Sequence, residues 1–349
     1  MVMSEIVLTV AVALVAGLVS TGITPVVARL AGILGMEDRP ADRKIHSSVI
    51  PYLGGFAILT GWVVAFLTPG TFAESVVLVA CMGALGVLGF VDDKRDISPH
   101  LRLWIQVGLA CAAFLGGIRM SPTDIYLVDF ALTVGWLVGM TNAFNFMDNM
   151  DGLAAGVGGI GALFLGITGV LSGQKLVSLL GFALAGSCLG FLKHNFHPAR
   201  IFMGDTGSLP LGFGLATLAI KLEFPNVHPL VAFAVPVTIL GLFVLDTTVM
   251  TVGRILRDEP LIGARLDHLS HRMLQRSLPV PGVALRLYAV AGLLGCAGVA
   301  VSRMDTPAAA AAIVVAAAVF PVAVARIVRW PILIRSATPP QPENAAAPG

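Results

Sequence analysis

"FALTVGWLVGMTNAFNFMDNMDGLAAGVGGIGALFLGITGVL", Phe130–Leu171, places two apolar runs on either side of a polar ladder. Each run approaches the roughly 20 residues a helix needs to cross hydrocarbon. Between them Asn142, Asn145, Asp148 and Asp151 recur at every third residue. Such residues are costly beside lipid and are functional candidates when kept there. A step of three along a helix falls back by about 60°, so adjacent rungs can cooperate but all four cannot share a face. The pattern predicts Asn145 working with Asp148 at the end of one membrane helix, and Asp151 on a turn that Gly152 makes possible.

The rest of the chain repeats the apolar theme. Of 349 residues, 56% are hydrophobic and 12% charged, far from the soluble average of about 25% charged. The fold class is therefore all-α, a polytopic integral membrane protein. Apolar runs near 5–27, 51–68, 73–91, 99–118, 128–147, 152–172, 175–193, 206–222, 229–252, 284–303 and 307–328 predict about 10–11 transmembrane helices. They form one catalytic domain over 1–336, followed by a Pro/Ala-rich tail at 337–349 that reads as disordered and cytoplasmic. The first run lacks a basic leader and exceeds the length of a signal-peptide core, so it reads as a span. With the N-terminus outside, 18 Lys and Arg fall on inner segments and 4 on outer ones, together the 22 of the chain. That asymmetry fixes the orientation. A net charge of +2 with no basic block excludes nucleic-acid binding. Cys81, Cys111, Cys188 and Cys296 stand singly in apolar runs and read as small core residues.

On this topology the acids share one face, the inner one. "GFVDDKRDISP" carries Asp92, Asp93 and Asp96, "IFMGDTGSLPLG" carries Asp205, and "RLDHLSHRM" carries His268 and His271. Adjacent Asp92 and Asp93 point apart on a helix, so one can face a site while the other holds a neighbour; brought together, one becomes a base. Either can also hold a hard cation. Asp205 precedes a helix, with Thr206 and Ser208 as capping hydroxyls and N–H groups suited to phosphate. Carboxylates beside a phosphate-binding helix end suit Mg2+, with Mn2+ as an allowed substitute. Together these point to phosphoryl transfer at a membrane surface, where positioning and charge neutralisation supply the catalysis.

In order, "RKIHSSVIPYLGG", "GFVDDKRDISPHLRLWIQ", "NAFNFMDNMDGLAAG", "IFMGDTGSLPLGF" and "RLDHLSHRM" resemble the polyprenyl-phosphate N-acetylhexosamine-1-phosphate transferases over about Arg43 to Met273. The resemblance implies transfer of a sugar 1-phosphate from a UDP-N-acetylhexosamine to a polyprenyl phosphate (undecaprenyl or decaprenyl), releasing UMP and initiating envelope glycan synthesis. It also implies Mg2+, and an active site on the cytoplasmic side of a bacterial inner membrane; a homodimer is compatible with it. By matching position it gives catalytic roles to Asp92, Asp93 and His268, and the metal to Asp205. Substrate contacts fall to Lys44, His46, Arg102, Asn145, Asp148, Asp151, Phe202, whose ring would stack on uracil, His271 and Arg272. Two features depart from the pentapeptide-carrying branch or from common members: Ser270 interrupts the histidine run, and Asn149 stands where Gly is frequent. Arg102 replaces a common Lys. These favour the GlcNAc-1-phosphate branch over the phospho-N-acetylmuramoyl-pentapeptide transferases.

Three residues stay open between function and structure. Asp246, near the inner end of the ninth run, suits either a site or a helix-pairing hydrogen bond. His194 and His197, three apart, could share a metal but have no third ligand nearby in the sequence. The rival class is a cation-coupled secondary transporter, whose acids would sit near mid-membrane on broken helices in paired repeats.

Overall fold

A computed structural model describes residues 2–38, 49–95, 97–224, 227–261, 263 and 265–330. Lys44, His46, Asp96 and the tail at 337–349 lie outside the described residues. Among those described, the chain is helical apart from a two-residue antiparallel hairpin, β1 (Glu37–Asp38) with β2 (Ile50–Pro51). The helices are α1 (Val2–Ile33), α2 (Gly55–Phe66), α3 (Thr71–Arg95), α4 (Pro99–Leu115), α5 (Tyr126–Met147), α6 (Leu153–Leu171) and α7 (Lys175–Asn195). There follow α8 (Asp205–Lys221), α9 (Pro229–Ile239), α10 (Gly241–Ile255), α11 (Leu269–Leu274), α12 (Val280–Val301) and α13 (Thr306–Val328).

Each apolar run is helical, with the run at 229–252 divided between α9 and α10. Among the described residues, seven helices are long and apolar enough to cross a membrane, α1, α3, α5, α6, α7, α12 and α13, and α9 with α10 makes an eighth if the bent pair is one span. The pair is bent by 79°, at a junction flanked by Pro236 and Gly241, residues that interrupt helices. At 1.5 Å per residue, the 12 residues of α2 reach about 18 Å and the 17 of α4 and of α8 about 26 Å, short of a ~30 Å core.

Shortness has a different meaning for α8. Its residues from Thr206 to Ala219 are all buried within the protein, as suits a helix with apolar residues all round. It packs chiefly against α3 and α5, with α2 and α6 beside them. Glycines permit the approach: a Cβ on Gly207 would lie 2.2 Å from the Gly55 Cα, and one on Gly214 2.3 Å from the Trp62 ring. At the edge, α1 packs on α7 through Gly186 and Gly190, where a Cβ would strike the Ala13 and Gly17 carbonyl oxygens at 2.1 and 2.2 Å. Small residues four apart are how membrane helices pack closely. Of the cysteines, Cys81 and Cys188 are buried as expected, whereas Cys296 is exposed on the outer surface of α12.

Candidate active site

The N-terminus of α8 is where the sequence motifs meet. Gly204, at φ 74, turns the chain so that Asp205 opens the helix. Its first N–H groups are not free for a ligand, as the sequence had suggested. Asp93, reaching across from α3, accepts from the Asp205 and Thr206 amides at 2.9 and 3.0 Å and from Thr206 Oγ1 at 2.7 Å. A carboxylate from another helix thus serves as the anion that the helix end attracts. Gly204 must lack a side chain here, since a Cβ would lie 2.8 Å from Asp93 Oδ2. Tyr52, just beyond β2, donates its hydroxyl to the Asp93 carbonyl at 2.9 Å.

Asp92 does face away from Asp93, and it returns to the same site through an arginine. Its Oδ1 accepts from Ile97 N and its Oδ2 from Arg102 Nη1 at 2.8 Å. The same Arg102 nitrogen donates to Asp205 Oδ2 at 2.8 Å, so one guanidinium on α4 bridges carboxylates of α3 and α8. Asn145 on α5 donates to Asp205 Oδ1 at 2.7 Å and to Ser208 Oγ at 2.8 Å. Its partner is therefore Asp205 rather than Asp148.

Asp148 caps the end of α5 and is drawn into the same field. Burial, then the Asp205 and Asp93 carboxylates, push its carboxyl up to about 7. Asp151 lies on the predicted turn, where Gly152 takes φ 73. It accepts from His197 Nδ1 at 2.8 Å and from Ala199 N at 3.1 Å. His194 turns away to the Thr21 carbonyl at 3.2 Å, so the two histidines do not share a ligand. Asn142 pairs with Gln106, one helical turn beyond Arg102. Sequence reading passed over Gln106, although a polar residue four after Arg102 on an apolar helix was a usable signal.

Phe202 joins the GDTGS segment to the hairpin. Its amide donates to the Pro51 carbonyl at 2.9 Å, its carbonyl accepts from Gly54 N at 2.9 Å, and it bridges to Tyr52.

The histidine loop closes the other side. His268 packs on Phe146 with ring centroids 5.8 Å apart and lies 5.9 Å from the His271 ring. Burial, then the His268 ring, push the His271 imidazole down to about 4, so it is neutral at pH 7. Ser270 Oγ donates to Asn149 Oδ1 at 2.6 Å; the two residues that set this chain apart in the sequence touch each other. Arg272 departs from the substrate-binding role expected of it. It is fully buried and donates to the Asp267 carbonyl at 2.8 Å and to the carbonyls of Ile327, Val328 and Trp330 at 3.2 Å. Those carbonyls are left unpaired by the end of α13, and a cation there is favoured.

Among the described residues, no three His, Cys, Asp or Glu side chains converge as a ready metal cage. The donors at Asp205, Asp148 and Asp93 are all hard oxygens, and among the described residues their mutual repulsion is offset by the Arg102 guanidinium and by the amide and hydroxyl donors on Asp93 and Asp205. Such a set fits Mg2+, which binds through one or two carboxylates and takes its remaining ligands from substrate phosphates and water.

Residues 75–223, which hold the acid cluster, match glycosyl transferase family 4. A Bacillus subtilis protein described as a probable undecaprenyl-phosphate N-acetylglucosaminyl 1-phosphate transferase is 37% identical over 263 residues, covering 72% of this chain and 73% of its own. The decaprenyl-phosphate N-acetylglucosaminephosphotransferase of Mycobacterium tuberculosis is 31% identical over 348 residues, 88% of this chain and 86% of its own. A phospho-N-acetylmuramoyl-pentapeptide-transferase from Moorella thermoacetica is 32% identical over 277 residues, 71% and 83% of the two. With likeness of this extent, and with the family's match falling on the helices that build the site, the chain belongs to glycosyl transferase family 4 and is a multi-pass membrane transferase.

Proposed function

We propose that the protein transfers a sugar 1-phosphate from a UDP-N-acetylhexosamine, UDP-GlcNAc in particular, to a polyprenyl phosphate, releasing UMP, with Mg2+ and from the cytoplasmic side of a bacterial inner membrane. The observation that carries this is the meeting of Asp93, Asp205 and Asp148, from α3, α8 and the end of α5, around one helix end. The Bacillus subtilis and Mycobacterium tuberculosis relatives are named for undecaprenyl phosphate and decaprenyl phosphate, and the coarser reaction, moving a phospho-sugar onto a polyprenyl phosphate, is common to those two by name.

In this reading Asp205 and Asp148 would hold the cation, which would supply charge neutralisation for the donor's diphosphate. Arg102 and Asn145 hold Asp205 in place through both carboxylate oxygens. Asp93 fixes the head of α8 from the side of α3. A lipid-phosphate oxygen attacks the phosphorus bonded to the sugar, a new P–O–P bond forms, and the bond to UMP breaks. One of Asp92 and Asp93 takes any proton left on the attacking phosphate. His268 and His271 lie on the donor's sugar and diphosphate side, with Phe202 beside the base. The transporter reading has no support in this arrangement: the acids are paired across helix ends, and the chain is a transferase by family.

Purified protein given UDP-GlcNAc, polyprenyl phosphate and Mg2+ should release UMP in step with lipid-linked sugar. No UMP from any UDP-sugar would overturn the reading. A higher kcat/KM for the UDP-N-acetylmuramoyl-pentapeptide donor would move the chain to the function named for the Moorella thermoacetica relative.

A further inference from the structure

Asp246 lies on α10, is 1% exposed, and takes no part in the acid cluster. Both of its oxygens are engaged. Oδ2 accepts from His268 Nδ1 at 2.8 Å and Oδ1 from the Leu269 amide at 2.6 Å. Buried to this degree, Asp246 gives both oxygens to the histidine segment, one to the His268 ring and one to the backbone that follows it. We propose that Asp246 is a positioning residue that fixes the ring orientation and tautomer of His268, so that Nε2 is the nitrogen presented to the donor's diphosphate and sugar.

The chemistry follows from the direction of the bonds. An ionised carboxylate only accepts, so Nδ1 must carry a proton and the neutral ring presents a lone pair at Nε2. If the ring gains a proton during turnover, the buried charge is compensated at once by Asp246. Orientation is over-determined. Phe146 packs against the ring, and Phe146 itself lies between Asn145 and Asp148, so the clamped imidazole is held beside the acid cluster. The backbone is fixed too: Asp246 grips Leu269, while Arg254, eight residues along α10, holds Asp267 at 2.8 and 3.0 Å and the Leu261 carbonyl at 2.8 Å. Eight residues are about 12 Å of helix, so one rigid element sets both ends of the segment that delivers His268. The arrangement has the logic of an aspartate that orients a working histidine without itself reacting.

The identity of the substrate rests on the function proposed above; the dyad does not. The full chain, labelled with 15N in its histidine rings and reconstituted in lipid nanodiscs, would be measured by NMR at pH 8, with the His268 signal assigned by its loss in His268→Gln. The wild-type ring should carry its proton on Nδ1. In Asp246→Asn the amide oxygen keeps the Leu269 N–H and the amide nitrogen faces Nδ1, so the proton should move to Nε2. UMP release should then fall in kcat by ~10² or more, with the donor KM within about threefold. In a His268→Gln background, Asp246→Asn should cost less than about twofold further. A wild-type ring protonated at Nε2 would overturn the proposal. So would an equal loss from Asp246→Asn with and without His268, which marks a framework residue. If no UDP-sugar yields UMP, the functional reading fails while the ring tautomer still decides the positioning claim.

Discussion

The acid cluster and the histidine loop lie side by side and are built on opposite principles of charge. Around Asp205, among the described residues, four carboxylates face one arginine: Arg102 bridges Asp92 and Asp205, Asp93 caps α8, and Asp148 is pushed up by burial and then by its acidic neighbours. In the loop, among the described residues, three acids are each matched with a base. Arg254 holds Asp267, Glu259 is shared by Arg257 and Arg265, and Asp246 holds His268. Among the described residues, the first region holds more acids than bases, while in the second these acids and bases are matched. A surplus of buried negative charge is costly by itself, whereas a closed set of pairs makes a frame. On the function proposed above, the first is where a cation and phosphates would enter, and the second is the support that would aim the His268 ring at them.

If the loop is a frame, removing half of a buried pair should do the most harm. Arg254 and Asp267 are 2% and 3% exposed, and Arg254→Met leaves the buried carboxylate with the longer 3.6 Å pair to Arg257 Nη2. The cost should reach about 3–5 kcal/mol, seen as a lower thermal midpoint in detergent. Arg254→Met with Asp267→Leu should recover most of it, since both charges then leave together. A double variant as unstable as the single would show that the pair is not what holds the loop.

In the acid cluster the larger effect should fall on turnover. Asp205→Asn keeps the shape and one acceptor while removing the charge, and should lower kcat by at least ~10² with little change in thermal midpoint. Near-normal activity and metal dependence would contradict its assignment. Asp92→Asn and Asp93→Asn should both be impaired but unequally, because Asp93 also caps α8.

A smaller effect separates the regions by pH. His271 is held at about 4, below the ordinary value near 6.5. As pH falls the unfolded chain binds this proton first, so the group's contribution is complete above about 6.5 and is lost as pH falls toward 4. By pH 5.5 it should cost roughly 1 kcal/mol. The midpoint of His271→Gln should decline less between pH 7 and 5.5 than that of wild type; parallel declines would remove His271 as the cause.

The smallest effect belongs to the link between the regions. Ser270→Ala breaks one hydrogen bond to Asn149 and should change kcat/KM for UDP-GlcNAc by no more than about fivefold. A greater loss would mean that this contact sets the register of loop and acids.

Much of the acid cluster was legible because its residues are conspicuous: carboxylates and asparagines in apolar sequence, at run ends that the Lys/Arg asymmetry sends to one face. Asp151 on the Gly152 turn follows from local backbone rules. Partners across the fold were not legible. That Asp93 would occupy the head of α8, or that Asn145 would choose Asp205 over Asp148, depends on how α3 and α5 pack on α8, which no spacing encodes. Arg272 looked like a ligand because it sits among histidines, yet its place is set by the end of α13, more than fifty residues away. The apolar runs were legible as helices but their lengths were not: α2, α4 and α8 come out at 12, 17 and 17 residues, because hydropathy registers burial in protein and burial in lipid alike and does not mark where a helix ends.

The most direct measurement is Mn2+ binding to the purified, substrate-free chain, followed by electron paramagnetic resonance, in wild type, Asp205→Asn and Asp246→Asn. Wild type and Asp246→Asn should each bind one ion with similar affinity, and Asp205→Asn should bind at least ~10-fold more weakly. Equal binding by all three, or a loss in Asp246→Asn matching that in Asp205→Asn, would contradict the division between a charge-deficient acid cluster and a self-paired loop.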